Sequence, residues 1–205
     1  MKEVSDLTRL ILASDSPRRK ELLERMTPTF ECIPASVNEE VDSNLKPHEV
    51  VKELALRKAQ AVSANEPAAY VIGADTIVVC QGKIFGKPKD HDEAFRMLKQ
   101  LSGNTHSVYT GVAIVFGEKI DVFAEETKVT FWELTDGEIN DYISTGEPFD
   151  KAGSYGIQGF GATLVKGIKG DFFNVVGLPV ARVYRTLKNM GFSFSRISSH
   201  PLKNE

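Results

Sequence analysis

The sequence predicts a mixed α/β fold, with helices alternating with strands around one sheet that contains parallel and antiparallel pairs. Three observations carry this expectation. Apolar stripes at helical spacing follow Pro17, Pro47, Asp90 and Thr135. Short apolar runs at Leu7–Ala13, Phe30–Ile33 and Tyr70–Cys80 stand between them. Two longer segments, Ser107–Phe116 and Val122–Trp132, follow each other closely enough to pair as antiparallel strands. A chain of 205 residues buries a core without disulfide support. One domain over 1–192 is expected, with a flexible tail over 193–205.

Each element has a local reason. After the first apolar run, Ser16 is placed to cap a helix and Pro17 suits its first position. Leu22, Leu23 and Met26 make that helix's stripe. Beyond Phe30–Ile33 comes the acidic loop Val37–Asp42. Val51, Leu54, Ala55 and Val62 define a long helix after Pro47. Tyr70–Cys80 reads as a buried strand that turns at Gln81-Gly82 into Lys83-Ile84-Phe85. Asp90-x-x-Glu93 opens a helix to about Leu101, and Thr135-x-x-Glu138 opens one that stops near Thr145-Gly146. Gly146–Gly161 has no periodicity, and a loop of that length inside a domain is usually functional. Thr163–Ile168 returns as a strand, and Asn174–Met190 reads largely as a closing helix.

The charge pattern excludes several functions. With 25 basic and 28 acidic residues the net charge is −3, which argues against general nucleic-acid binding. No run reaches the ~18 apolar residues of a membrane helix, and the N-terminal run is too short for a signal peptide. The expected setting is cytoplasmic, with no membrane partner. Cys32 and Cys80 form no CxxC pair and are expected to be small buried hydrophobes. The four histidines lack zinc-type spacing. No P-loop, Rossmann fingerprint or GxSxG elbow occurs.

Charges stand where the pattern wants apolar residues. Asp75 interrupts Val71–Val79, where an unpaired carboxylate would cost several kcal/mol. It marks either a turn between two shorter strands, helped by Gly73, or a carboxylate held for metal binding or base catalysis. Arg19 shares a helical face with Leu22, Leu23 and Met26, and Lys58 shares one with Val51, Leu54 and Ala55. Each alone is explained by a snorkelling side chain. Together with Asp75 they suggest a shared anion site with a metal. Arg18 and Arg19 also lie in a helix's first turn, where free N–H groups and the dipole favour phosphate; Ser14 and Ser16 are beside them.

Seven segments carry a family resemblance. Ser14-Asp15-Ser16-Pro17-Arg18-Arg19, Gly73-Ala74-Asp75-Thr76, Gly86-Lys87-Pro88, Leu101-Ser102-Gly103, Asp150-Lys151-Ala152-Gly153, Tyr155-Gly156-Ile157-Gln158-Gly159 and Val176-Gly177-Leu178-Pro179 occur in order between about Leu10 and Met190. They resemble the Maf family of nucleoside triphosphate pyrophosphatases. The resemblance implies an inosine triphosphatase-like fold, an elongated twisted mixed sheet with surrounding helices and a cleft between two lobes. It also implies a hydrolase that releases pyrophosphate from a nucleoside triphosphate with Mg²⁺ or Mn²⁺, as a house-cleaning homodimer with a possible link to cell-division arrest.

Arg18, Thr76 and Gln158 match the branch that acts on dTTP and UTP, where the 7-methyl-GTP branch has Trp, Gln and Glu. On this resemblance Asp75 is the proton acceptor, and Glu40 joins it as metal ligand and catalytic partner. Lys58 is catalytic; Ser14, Arg18, Arg19, Lys87 and Lys151 bind substrate. Thr76 and Gln158 read base or sugar, and Arg18 joins them in setting specificity. CTP and modified pyrimidine nucleotides remain open as substrates. A binding sensor without turnover, or an enzyme for another phosphoanhydride, is the rival.

Overall fold

In a computed structural model that describes residues 8–194, the helices begin where the capping chemistry puts them. Ser16 Oγ accepts from the Arg19 N–H at 3.4 Å and opens α1 (Pro17–Glu24). Pro47 opens α2 (Pro47–Ser63), and the Glu49 side chain accepts from the Lys46 N–H at 2.8 Å. Asp90 accepts from the Glu93 N–H at 2.8 Å at the start of α3 (His91–Leu101). Thr135 and Glu138 close a reciprocal capping box on α4 (Asp136–Ser144).

The strands are β1 (Leu10–Leu12), β2 (Glu31–Cys32), β3 (Tyr70–Cys80), β4 (Lys83–Phe85), β5 (Thr105–Phe116), β6 (Lys119–Phe131) and β7 (Val165–Lys169). They form one seven-stranded sheet in the order β2-β1-β3-β5-β6-β7, with β4 also on β3. β1 pairs parallel with β2 and β3; the remaining pairs are antiparallel. The mixed α/β class expected from the sequence is the one observed.

Alternation along β3 separates two faces. Val71 and Ile77 face α2, where Ile11, Ala55, Ala59 and Val115 complete the packing. The even-numbered residues face the other way, into two cores. Ile72 and Ala74 join Leu22, Leu23, Val183 and Leu187 in one. Val78 joins Leu98, Leu101, Phe131, Ile139 and Tyr142 in the other. Thr76 on β3 and Thr110 on β5 are register partners at the boundary between these cores. A polar seam therefore divides this side of the sheet.

Several expectations change. Asp75 is not in a turn: β3 is continuous, and Asp75 pairs with Gly111. The first helix stops at Glu24 rather than Met26. The closing helix is two helices, α5 (Phe172–Val176) and α6 (Val180–Met190), because Gly177 takes φ +123 and Pro179 follows. Cys80 is buried, but Cys32 is exposed because it sits in the two-residue edge strand β2. Three short 3₁₀ turns occupy 147–164, held by Glu147 accepting from the Phe160 and Gly161 N–H groups. Of the expected tail over 193–205, Phe194 stacks on Tyr184 at 4.5 Å. The rest of that tail, and Leu7 of the first strand, lie outside the described residues.

His106, 2 % exposed, lies behind the seam with its Nε2 2.7 Å from the Tyr155 hydroxyl. Burial lowers its pKa from 6.5 to about 4. Because the folded value is the lower one, neutral His106 favours folding fully above pH 6.5. That contribution is lost as pH falls from 6.5 towards 4, by about 3 kcal/mol in total. His106→Phe is expected to flatten this part of the stability–pH curve, measured by urea unfolding at pH 7.5 and 4.5. Parallel curves for the two proteins would show that His106 makes no such contribution.

Candidate active site

The site begins as a gap in the sheet. β5 covers one edge of β3 from Val71 to Val79. On the other edge β1 pairs only with Tyr70–Ile72, and β4 only with Val78–Cys80. Residues 73–77 thus have no strand neighbour on that edge, and a cavity of about 550 Å³ opens there. Asp75 and Thr76 point to opposite faces of the sheet, yet both line this cavity because it reaches round the open edge.

On the α2 face, close packing brings a cation to Asp75. A Cβ on Gly73 would lie 2.2 Å from the Ala55 carbonyl oxygen, and one on Gly111 would lie 2.1 Å from that of Val51. These glycines let the α2 backbone settle on β3 and β5. Lys58, one turn along α2 from Leu54 and Ala55, then places its Nζ 2.6 Å from Asp75 Oδ1 and 2.8 Å from Glu39 Oε1. The Lys58 and Asp75 side chains are only 14 % and 12 % exposed, whereas Glu39 is 63 % exposed. Hydrogen bonding from Lys58 holds Glu39 below the usual carboxylate range against the opposing effect of burial.

On the opposite face, the first turn of α1 aims Arg19 at the seam. Its Nε donates to the Gly177 carbonyl at 2.9 Å, its Nη2 to Thr76 Oγ1 at 3.0 Å, and its Nη1 to Ser14 Oγ at 3.4 Å. All three acceptors are neutral. Burial lowers the Arg19 pKa, with Arg18 adding to the effect and Asp75 opposing it.

The mouth is built from loops. Arg18 donates to Asp150 Oδ2 at 2.6 Å, and Lys151 donates to Asp150 Oδ1 at 2.7 Å. Burial raises the Asp150 pKa, but these two cations outweigh it and leave the group lowered. The Gly153 N–H donates to the Gly86 carbonyl at 3.0 Å and ties this loop to the one carrying Lys87. Gly153 has φ +69, a conformation that suits glycine.

Nine of the ten residues expected at the site line the cavity: Ser14, Arg18, Arg19, Lys58, Asp75, Thr76, Lys87, Lys151 and Gln158. Glu40 does not. Its N–H donates to Asn38 Oδ1 and its carbonyl accepts from Arg57, and it is Glu39 whose side chain turns to Lys58. Adjacent side chains of an irregular segment diverge, so only one of the pair faces the cavity. Glu39 and Asp150 also line the cavity, although the sequence reading places them only in the acidic loop and in a family segment and gives neither a role. Of the five cations lining the cavity, Lys58, Arg18 and Lys151 have carboxylate partners. Arg19 and Lys87 have none among the described residues.

No group of three or more metal-type side chains occurs among the described residues. Asp75 and Glu39 nevertheless fit a hard divalent cation. Two carboxylates share one cationic partner here, and Mg²⁺ is commonly held by one or two carboxylates with waters and substrate phosphates.

Curated relatives match the chain almost end to end. A protein named dTTP/UTP pyrophosphatase from a Geobacillus species is 53 % identical over 186 residues, 91 % of this chain and all of that one. Proteins of the same name from Bacillus cereus and Halalkalibacterium halodurans are each 54 % identical, over 89 % and 90 % of this chain and 95 % and 97 % of theirs. Among solved structures, the Staphylococcus aureus Ham1 protein aligns with a TM-score of 0.49 at 14 % identity, covering 77 % of this chain and 79 % of that chain. The family profile described as Maf-like protein spans residues 9–190, from the strand before the Ser14–Arg19 turn to the end of the last helix. With that match and relatives above half identity, the chain belongs to the Maf-like protein family.

Proposed function

We propose that the protein hydrolyses dTTP and UTP to the nucleoside monophosphate and pyrophosphate, a house-cleaning activity on the nucleotide pool. The single observation that carries this is the cavity's charge arrangement. A largely buried carboxylate, Asp75, lines the same cavity as two cations, Arg19 and Lys87, that have no carboxylate partner among the described residues. That is a proton acceptor sharing one cavity with a pair of cations suited to phosphate. The shared name of the relatives supports the same substrates.

In this reading a water attacks the α-phosphorus and passes a proton to Asp75. The bond between that phosphorus and the bridging oxygen breaks, and pyrophosphate leaves. Lys58 holds the Asp75 carboxylate in place from the α2 side. Arg19 and Lys87 bind the departing phosphates, and Arg18 and Lys151 do so as they exchange Asp150 for substrate. Ser14 holds an Arg19 nitrogen. Asp75 and Glu39 would hold Mg²⁺ or Mn²⁺, which supplies charge neutralisation on the phosphate oxygens. Thr76 and Gln158, with Arg18, meet the base and sugar. The homodimer and cytoplasmic setting are carried by the family resemblance. No helix among the described residues is long and apolar enough to cross a membrane.

The test is a nucleotide panel with Mg²⁺ and Mn²⁺, scored for pyrophosphate against orthophosphate. A pocket that bonds a pyrimidine edge disfavours a larger purine by exclusion and by unpaired polar groups. The expected kcat/KM for dTTP and UTP is at least ~10-fold above that for GTP or 7-methyl-GTP, about 1.4 kcal/mol of transition-state binding. A panel led by 7-methyl-GTP would overturn the pyrimidine assignment. Binding without pyrophosphate release would favour a sensor.

A further inference from the structure

Thr76 does not end the line of hydrogen bonds that starts at Arg19. Its Oγ1 lies 2.9 Å from Thr110 Oγ1, and Thr110 Oγ1 lies 2.9 Å from the Asn174 main-chain carbonyl in α5. Thr110 and Asn174 are fully buried. The direction of every bond follows from the last one. A carbonyl oxygen only accepts, so Thr110 uses its single O–H there. Thr76 must then donate to Thr110, which leaves the Thr76 oxygen to accept from Arg19 Nη2 at 3.0 Å. The terminus is itself held in place. The Asn174 carbonyl also accepts from the Gly177 N–H at 3.1 Å, and the Asn174 side-chain amide donates to the Val108 carbonyl and to Thr127 Oγ1.

We propose that Thr110 is a positioning residue for phosphate binding by Arg19. This rests on the pyrophosphatase reading. By taking the Thr76 proton, Thr110 makes Thr76 an obligate acceptor and so fixes the plane of the guanidinium. Arg19 commits three N–H groups, to Gly177, Thr76 and Ser14, and its other two stay available to a phosphate oxygen in the cavity. Were the Thr76 proton turned towards Arg19, two donors would oppose each other and the guanidinium would swing away. Thr76 itself is excluded as a phosphate ligand, because phosphate oxygens accept and Thr76 has no proton to give. It meets substrate only through a group that donates, such as a ring N–H or a sugar hydroxyl.

The test separates the hydroxyl of Thr110 from its methyl group. Thr110→Val keeps the shape and removes the hydroxyl; Thr110→Ser does the reverse. Binding is read on the full chain as the rise in Tm produced by magnesium pyrophosphate and, separately, by UMP. Misplacing one charge-assisted contact is expected to weaken pyrophosphate about 10-fold in the valine variant and to leave UMP within about 2-fold. Serine restores pyrophosphate binding. If the valine variant does not fold, Thr110→Cys replaces it, since a thiol is a weak donor and acceptor and should bind pyrophosphate less well than the serine variant does. Equal losses for both ligands, no loss for either, or a loss that follows the methyl group would overturn the proposal. These outcomes leave wild-type turnover of UTP, and with it the pyrophosphatase reading, intact. A wild-type protein that pyrophosphate does not stabilise would remove the anion site and both conclusions with it.

Discussion

Asp75→Asn is expected to lower kcat for dTTP and UTP by about 10³-fold, the usual contribution of a positioned general base. The substitution barely changes volume, and its amide oxygen still accepts from Lys58, which lies 2.6 Å from the carboxylate. Lys58 also keeps Glu39 as an ionic partner at 2.8 Å, so no buried cation is left unpaired. Stability should therefore change by no more than about 1–2 kcal/mol, the difference between a charged and a neutral hydrogen bond. Pyrophosphate should still bind, because Arg19 and Lys87 are untouched. The measurement is steady-state pyrophosphate release beside a thermal-shift titration. Near wild-type kcat would remove Asp75 from the chemistry and leave it as the structural partner of Lys58.

How much of this site could be read beforehand depends on how locally each residue is determined. Ser16, Asp90 and Thr135 act on N–H groups three residues away, so their caps were legible and formed as expected. The misfit of Arg19, Lys58 and Asp75 with their apolar surroundings was legible too. That two of them lie on opposite faces of one sheet was not. Their convergence depends on β1 and β4 stopping short of each other along β3, which is a property of strand length and pairing. One of the two readings of Asp75 makes Gly73 an aid to turning, whereas Gly73 makes room for α2, a partner far away in sequence. Glu39 and Glu40 are the same side chain one position apart in a segment without periodicity, and only tertiary contact decides between them. Thr110 is one of two threonines in β5, and nothing local distinguishes it. The break between α5 and α6 did have a signal: a glycine two residues before a proline inside a helical pattern marks a stop.

Arg19→Met should separate function from stability in a way that snorkelling does not. Among the described residues the guanidinium is bonded only to the Gly177 carbonyl, Thr76 and Ser14, all neutral. A part-buried cation without an ionic partner costs free energy that neutral hydrogen bonds only partly offset. Methionine removes that cost and fills the stem's volume, while the three released acceptors face a cavity that water enters. The two effects oppose each other at about 1–3 kcal/mol each, so Tm should move by only a few degrees in either direction. Catalysis has no such compensation. Of the cavity's other cations, Lys58 is held by Asp75 and Glu39, and Arg18 and Lys151 must first exchange Asp150 for substrate, which leaves Lys87 as the one cavity cation without a carboxylate partner among the described residues. Loss of charge-assisted contacts to the departing pyrophosphate is expected to lower kcat/KM by at least ~10²-fold. Pyrophosphate should also lose most of its stabilising effect on the variant. Paired kinetics and unfolding curves decide the matter. A large fall in Tm with unchanged kcat/KM would make Arg19 a structural tie between α1 and the α5–α6 junction, and the anion site would then have to be sought around Lys87.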